Sequence, residues 1–557
     1  MVLQRGNITI SDDFIITTPN PIKEPTEGIG CTIYTHMQNH TNQVAQIDAR
    51  TGEEDTFGQL LQRCIRTALH LRDKNITRDH IVSLCTSNHL DTVVPYIAAQ
   101  FLGAKVASLD TSFSQQEMLH LLKQIRPRIL FITPESVPSI EKSVQDLCLD
   151  SEIVVFGETQ KHTQFSDFLE PHWNEDEFNP VTINDLKETA VIHFSSGTTG
   201  LPKGICLSHH ACIGQSLNIT HTENPDHEYM KSQAERVSFP LTQLGYTSLY
   251  WVSASTMLLT SVIQGFCRLI CPSFDAKEIW DFIEKYKPLV LMLTPVEAME
   301  MLSHVRNVDV SSILSIIIVG SPISKEYCLK IRQVFPQADL ARGYGQTEVC
   351  GVLTNFRGND IFHRPLMKRE DKIESVGLPL RGISYKVVDL DTNQNLGPNQ
   401  RGELRVKSSF VMNGYYNMDS SDSFDESGWL KTGDVVYYDD DCCFYVVDRI
   451  KESFKYRGWF VAPALIENEL LNHPAVKQAV VVGIPHEDGY HPMGLVVVRD
   501  GFGVSEEDLE KFVEERVPER QRLRAGVKFV KDLPLTVTGK VKRSEIKQMI
   551  SEGLKNI

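Results

Sequence analysis

Residues 190–204 constrain this chain more than any other stretch. Ala190, Val191, Ile192, His193 and Phe194 form an apolar run, and Ser195-Ser196-Gly197-Thr198-Thr199-Gly200-Leu201-Pro202-Lys203-Gly204 follows at once. A buried strand opening into so small-sided a loop presents backbone N–H groups and hydroxyls that can wrap phosphate oxygens, and Lys203 adds a cation. No Gly-Lys-Ser/Thr closes the spacing, so this is not a Walker A sequence. The plain alternative is a flexible surface loop, against which the length of the run and its Pro-Lys-Gly ending both count.

Such a loop has to sit in a large body. At 557 residues the chain exceeds one hydrophobic core and reads as two to four packed units. Hydrophobic residues at 41% and charged residues at 23% suit an ordinary globular enzyme. A formal charge of −16 supplies no basic field, so nucleic acid is disfavoured as a partner and small anions need local sites. No run of about 18 apolar residues and no basic-then-apolar amino terminus occurs, so neither a membrane span nor a secretory signal is expected. The twelve cysteines lie scattered in hydrophobic stretches and read as reduced core residues; Cys442 and Cys443 are adjacent, which is not zinc-ligand spacing.

Local patterns alternate between helix and strand. Leu60, Leu61, Cys64, Ile65, Ala68 and Leu69 keep helical spacing behind the candidate cap Thr56, which predicts a helix over 56–72. The apolar runs 81–85 and 106–109 flank a helical pattern at 89–102, a βαβ unit whose alternation continues over 114–132. A second alternating stretch runs from 190 to about 340, with buried parallel strands expected at 268–271, 289–294 and 315–320. Period-2 alternation at 403–407 and turn clusters such as 396–399 predict a small antiparallel unit over 375–416. Beyond the charged segment 448–452 a compact α+β tail is expected.

Four further segments carry chemistry. In Gly343-Tyr344-Gly345-Gln346-Thr347-Glu348 an aromatic ring between glycines can lie against a planar base, and the Glu348 carboxylate is a hard ligand suited to Mg²⁺; alone, the motif is equally a tight turn into a helix with an acidic first turn. In Gly428-Trp429-Leu430-Lys431-Thr432-Gly433-Asp434 and Asp448-Arg449-Ile450-Lys451, Asp434 can accept from a ribose diol and Arg449 can hold the same sugar or a phosphate. Either is by itself a turn or a solvated charge cluster. Leu535-Thr536-Val537-Thr538-Gly539-Lys540 puts one lysine on a glycine-marked turn, which in isolation is solvated surface.

Taken in order, these segments resemble the adenylate-forming superfamily of acyl-CoA synthetases, coumarate-CoA ligases, firefly luciferase and peptide-synthetase adenylation domains. The resemblance runs from about residue 50 to 545. It implies an α/β with α+β fold: a large amino-terminal domain over 1–448, built of two doubly wound α/β subdomains and a small β-barrel at about 375–448, a hinge at 449–451, and a mobile α+β domain over 452–557. It implies ATP, Mg²⁺ and CoA as cofactors and a small organic acid as substrate. Ser195, Ser196, Gly197, Thr198, Thr199 and Gly200 would hold the β and γ phosphates together with Lys203. Gly320, Ser321 and Pro322 with Gly343 and Tyr344 would enclose adenine, Thr347 and Glu348 would hold phosphate and Mg²⁺, and Asp434 with Arg449 the ribose. Lys540 would bridge the substrate carboxylate and the α-phosphate. Rotation at Lys451 would withdraw it and bring Lys455, Arg457 and Gly458 to the thiol.

The acyl pocket falls by position on Gln243, Tyr246, Gly320, Gly343, Gly351 and Val352, a set that admits an aliphatic chain or a flat aromatic acid. Three residues depart from the family pattern. Phe460 stands where a glutamine is usual, Gln243 lies near the place of an active-site histidine, and Arg342 precedes the Gly-Tyr-Gly turn, where a cation can meet a polar acyl tail or a carboxylate. A luciferase-like adenylating oxygenase and an impaired regulatory relative remain alternatives to the thiol ligase. The carboxy-terminal Lys555-Asn556-Ile557 does not match the usual peroxisomal address, which leaves the cytoplasm as the expectation and the peroxisome as the alternative.

Overall fold

The computed structural model describes residues 3–5, 7–20, 22–194, 202–221, 225–234, 237, 240–457, 459–487, 489–535 and 541–551. The phosphate-loop residues Ser195–Gly200, together with Gly458 and Lys540, lie outside the described residues.

Two sheets with parallel cores form the bulk of the chain, as expected. The first runs in the order Thr163–Gln164, Glu152–Val155, Ile129–Ile132, Ile81–Cys85, Lys105–Leu109, Thr189–Phe194, Gly204–Ser208 and Gly414–Tyr415; the last two strands pair antiparallel and the rest parallel. Ile81–Cys85 is buried at every position, the mark of a strand covered on both faces. The second sheet runs Asp339–Arg342, Ser315–Ile318, Val290–Leu293, Thr242–Gly245, Cys267–Ile270, Val44–Asp48 and Glu54–Thr56, parallel until its last pair. The helix expected over 56–72 is Phe57–Asp73. Its start is fixed by Thr56, whose side chain accepts from Gln59 N while the Gln59 side chain accepts from Thr56 N, a reciprocal cap whose loss costs about 1 kcal/mol.

The antiparallel unit is an open sheet rather than a barrel. Its path runs Leu3–Arg5, Ile8–Ile10, Ile16–Thr17, Ile383–Val388, Gly402–Ser408, Leu430–Tyr438 and Phe444–Arg449, and its two end strands do not pair with each other. The three amino-terminal strands join through Ser384↔Thr17 and Tyr385↔Ile16, so the sheet begins with residues far upstream of the expected 375–448. On Gly402–Ser408 the alternation holds only towards the end, where Val406 is buried and Lys407 exposed; Gly402, Glu403 and Leu404 are all buried, with Leu404 in the apolar core, Glu403 paired with Arg405 at 2.9 Å, and the register to the next strand shifting between Glu403 and Arg405.

The carboxy-terminal unit is α+β: strands Trp459–Val461, Phe454–Tyr456, Gly489–Val498 and Val476–His486 in that order, with Val527–Phe529 parallel to Gly489–Val498. Helices Pro463–Leu471 and Glu506–Glu514 contribute Ile466, Leu470, Leu509 and Val513 to its core. It meets the antiparallel sheet through a small apolar cluster of Val435, Val447 and Ala462 with Ile450 and Leu465 against it. All twelve cysteines are free thiols, nine of them buried. Among the described residues no helix is long and apolar enough to cross a membrane.

Candidate active site

Thr347 and Glu348 stand on a single 3₁₀ turn, Thr347–Val349, between the paired strands Tyr344–Gln346 and Gly351–Asn355. The turn is therefore a hairpin tip and not the start of a helix. The hairpin closes so tightly that a Cβ on Gly345 would stand 1.8 Å from the Gly351 carbonyl oxygen, and only glycine fits there. The buried Gln215, on the helix His209–Thr220, donates its amide to the Val349 and Val352 carbonyls at 3.0 and 2.8 Å and holds the tip from behind.

Asp434 and Arg449 are register partners on neighbouring antiparallel strands. Arg449 Nε lies 3.0 Å from Asp434 Oδ1, and the Tyr344 hydroxyl donates to Asp434 Oδ2 at 2.6 Å. Three of the residues singled out in the sequence, each from a different motif, thus share one carboxylate. Burial and the neighbouring Asp434 charge push the Tyr344 phenol well above its ordinary range, so it is a donor throughout the working pH range. Glu348 faces the same group of charges. Burial pushes its carboxyl up, Asp434 adds to that, and Arg449 opposes it.

Lys203 completes the cluster. His120 Nε2 donates to the Pro202 carbonyl at 3.0 Å and Gly204 N donates to Gln124 Oε1 at 3.3 Å, which fixes the chain on both sides of the lysine. The Lys203 ammonium stands 5.1 Å from the centroid of the Tyr415 ring, and the Tyr415 hydroxyl donates to Glu348 Oε1 at 3.4 Å. Sequence reasoning missed Tyr415. Its only local signal is the Gly414-Tyr415 pair, and its place depends on the pairing of Gly414–Tyr415 with Gly204–Ser208, a strand far earlier in the chain.

Open space adjoins these side chains. Gly320 has φ +101 and nothing within 4 Å of where a Cβ would stand, and at Gly343 the nearest atoms are Val319 Cγ1 at 3.8 Å and the Thr354 carbonyl oxygen at 3.9 Å. Ser321 and Pro322 are exposed beside Gly320. A nucleotide fits this donor set: glycine-lined room and an aromatic ring for a base, a carboxylate and guanidinium for a sugar, an ammonium for phosphate. Among the described residues no group of three or more His, Cys, Asp or Glu side chains could hold a metal ion, so Mg²⁺ at Glu348 would take its other oxygens from phosphate and water.

The remaining residues expected at the site have these surroundings. Arg342 turns its guanidinium to the Ile373 carbonyl, with Nη1 donating at 3.2 Å, and burial lowers its affinity for its proton. Tyr246 packs edge-on against Phe274 in the core of the second sheet, ring centroids 5.1 Å apart. The alternation at this strand end gives its neighbours Gly245 and Thr247 to a cavity lined also by Asn88, His89, Met257 and Arg268. Gln243 is buried, its amide 3.5 Å from the Met257 carbonyl. Gly351 faces Thr256, whose Oγ1 would be 3.7 Å from a Cβ, and Val352 packs with the core of the antiparallel unit. Lys455 pairs with Asp391 at 3.2 Å on the surface, Arg457 is exposed at φ 48, and Lys451 is exposed. Phe460 lies on the strand Trp459–Val461.

Two α/β bodies, an antiparallel sheet and a small carboxy-terminal unit, gathered around one Tyr–Asp–Arg–Glu–Lys cluster, define an adenylate-forming enzyme. The chain belongs to the AMP-binding enzyme family, whose profile matches residues 33–416, and the profile of that family's C-terminal domain matches residues 465–540. It is similar to luciferin 4-monooxygenase of Nipponoluciola cruciata, 28% identical over 97% of this chain and 98% of that one. It is likewise similar to 4-coumarate–CoA ligase 1 of Petroselinum crispum, 31% identical over 91% of each. Among solved structures it resembles the luciferase-like enzyme of the nonluminescent mealworm Zophobas morio, 35% identical with a TM-score of 0.72, covering 78% of this chain and 98% of that one.

Proposed function

We propose that this enzyme activates an organic carboxylic acid with ATP, forming an acyl adenylate and pyrophosphate, and then transfers the acyl group to the thiol of CoA with release of AMP. The observation that carries the proposal is the shared carboxylate of Asp434, gripped by Tyr344 and Arg449, beside the chain of contacts from Glu348 through Tyr415 to Lys203. Tyr344 with Gly320, Ser321, Pro322 and Gly343 would hold adenine, Asp434 and Arg449 the ribose, and Thr347 with Lys203 and the 195–200 loop the phosphates. Mg²⁺, held by Glu348, would neutralise charge on the triphosphate.

The first step brings two anions together, so its barrier is charge repulsion and positioning, and cations aimed at the reacting oxygens lower it. Lys203 would meet the departing pyrophosphate and Lys540 the carboxylate and α-phosphate. The mixed anhydride then reacts with a thiol once the carboxy-terminal unit has turned about Lys451, with Lys455, Arg457 and Gly458 carried to the acceptor. Similarity to both a coumarate–CoA ligase and a luciferin monooxygenase supports the shared adenylation step and leaves the acceptor to experiment. An acid-dependent exchange of label between pyrophosphate and ATP, screened over fatty, aromatic and amino acids with and without CoA, tests the reading.

A further inference from the structure

We infer that Tyr415 is a positioning residue that sets the Glu348 carboxylate and the Lys203 ammonium at a fixed spacing, so that the metal-bearing and the phosphate-bearing sides of the site are read together by one triphosphate. This role rests on the nucleotide reading above. Tyr415 touches both groups: its hydroxyl reaches Glu348 Oε1 at 3.4 Å, and its ring face receives the Lys203 ammonium at 5.1 Å from the centroid. Its own place is fixed from three directions. Ile205↔Tyr415 is a register pair, Tyr415 N donates to Ser420 Oγ at 2.7 Å, and Tyr416 N donates to the Gly204 carbonyl at 2.7 Å, so the ring is tied to the strand that Lys203 leads into. Gly414 holds φ +129, a conformation that lets the strand turn toward residue 420 while the tyrosine stays in the sheet.

The chemistry of the two contacts differs. A hydroxyl donating to one carboxylate oxygen leaves the other oxygen aimed at a cation, and long hydrogen bonds in active sites tighten as substrate is engaged. A ring face attracts an ammonium without neutralising it, so the contact with Tyr415 holds the long Lys203 side chain in place without an opposite charge of its own.

The test is calorimetric titration of ATP into the full-length protein, with Mg²⁺ and separately with EDTA. Tyr415→Phe keeps the ring and drops the hydroxyl. It is expected to weaken Mg²⁺–ATP binding about fivefold, to leave metal-free ATP binding within about twofold, and to leave the melting temperature unchanged. Tyr415→Leu removes the ring as well and is expected to weaken metal-free ATP binding about fivefold and Mg²⁺–ATP binding about 25-fold, an extra loss of about fivefold in each form that disappears in a Lys203→Met background. Wild-type Mg²⁺–ATP affinity in Tyr415→Phe, or equal losses with and without metal, overturns the inference. Should the wild type bind Mg²⁺–ATP and show this pattern but exchange no pyrophosphate with any acid, Tyr415 keeps its role and the proposed reaction falls. Absence of Mg²⁺–ATP binding by the wild type overturns both.

Discussion

Arg449 and Asp434 face each other across two antiparallel strands, with Arg449 Nε 3.0 Å from Asp434 Oδ1. The carboxylate is buried while the guanidinium remains half in solvent, so the pair presents a fixed negative oxygen pair beneath a cation that substrate can still reach. Asp434→Asn keeps the shape and removes the charge. It is expected to cost about 1–3 kcal/mol of stability and to weaken ATP binding by about tenfold or more, measured by chemical denaturation and calorimetry. Unchanged ATP affinity in a folded Asp434→Asn protein contradicts the ribose assignment.

Arg543 ties the carboxy-terminal unit together. Its Nη2 lies 2.6 and 2.7 Å from the two Glu467 oxygens, its Nε 2.9 Å from Glu452 Oε2, and its Nη1 donates to the Val481 carbonyl at 2.8 Å. Arg543→Ala strands two largely buried carboxylates and is expected to destabilise this unit by about 3–5 kcal/mol, seen as faster hydrogen exchange in its strands and a lower urea midpoint. A midpoint and exchange pattern equal to wild type contradict the arrangement.

Asp448 supplies a pH dependence. Burial pushes its carboxyl from 3.8 up to about 7, Glu467 adds to this, and the N–H groups of Ala464 and Arg449 oppose it. The folded protein thus keeps a proton that the unfolded chain releases near 3.8, so the stabilisation is complete below that value and is lost as pH rises to about 7. Asp448→Asn is expected to remove this component: as pH rises from about 4 to about 7 the wild type should lose several degrees of melting temperature relative to the variant. Parallel pH profiles for the two proteins contradict it.

Two substitutions are expected to separate the proposed half-reactions. Lys540→Ala is expected to suppress acid-dependent pyrophosphate exchange about 10²-fold while preformed acyl adenylate is still converted to thioester. Lys451→Pro fixes φ at about −65° and removes an N–H, and is expected to spare much of the exchange while slowing thioester formation even from supplied adenylate. Wild-type exchange in the first, or wild-type rates for both steps in the second with unchanged melting, removes the respective role.

Where the signal is local, the residues announce the structure. The run 81–85 is a buried strand, and Thr56 caps a helix whose apolar spacing is visible from Leu60 to Leu69. Asp434, Arg449, Tyr344 and Glu348 are each legible from short motifs, three of them marked by glycine turns, and the fold brings them together. What stays hidden is set by pairing over long separations. Ile16 and Thr17 join a sheet whose next strand begins only at Ile383, and the end strands of that sheet do not pair where a barrel is expected. Side-chain direction is the other blind spot: Tyr246 sits one position from a cavity-lining glycine yet faces the core, and Arg342 turns its guanidinium to the Ile373 carbonyl. Tyr415 needs both kinds of information at once.

Acid activation through an adenylate is measured most directly by the exchange of labelled pyrophosphate into ATP, run acid by acid on the purified full-length protein and followed by addition of CoA. The expected result is exchange that depends on one class of carboxylic acid, is weakened in Asp434→Asn and Lys203→Met, and gives way to acyl-CoA and AMP when CoA is supplied. Exchange with no acid from a protein that binds Mg²⁺–ATP contradicts adenylation itself, and exchange followed by oxygen uptake or light in place of thioester contradicts the acceptor.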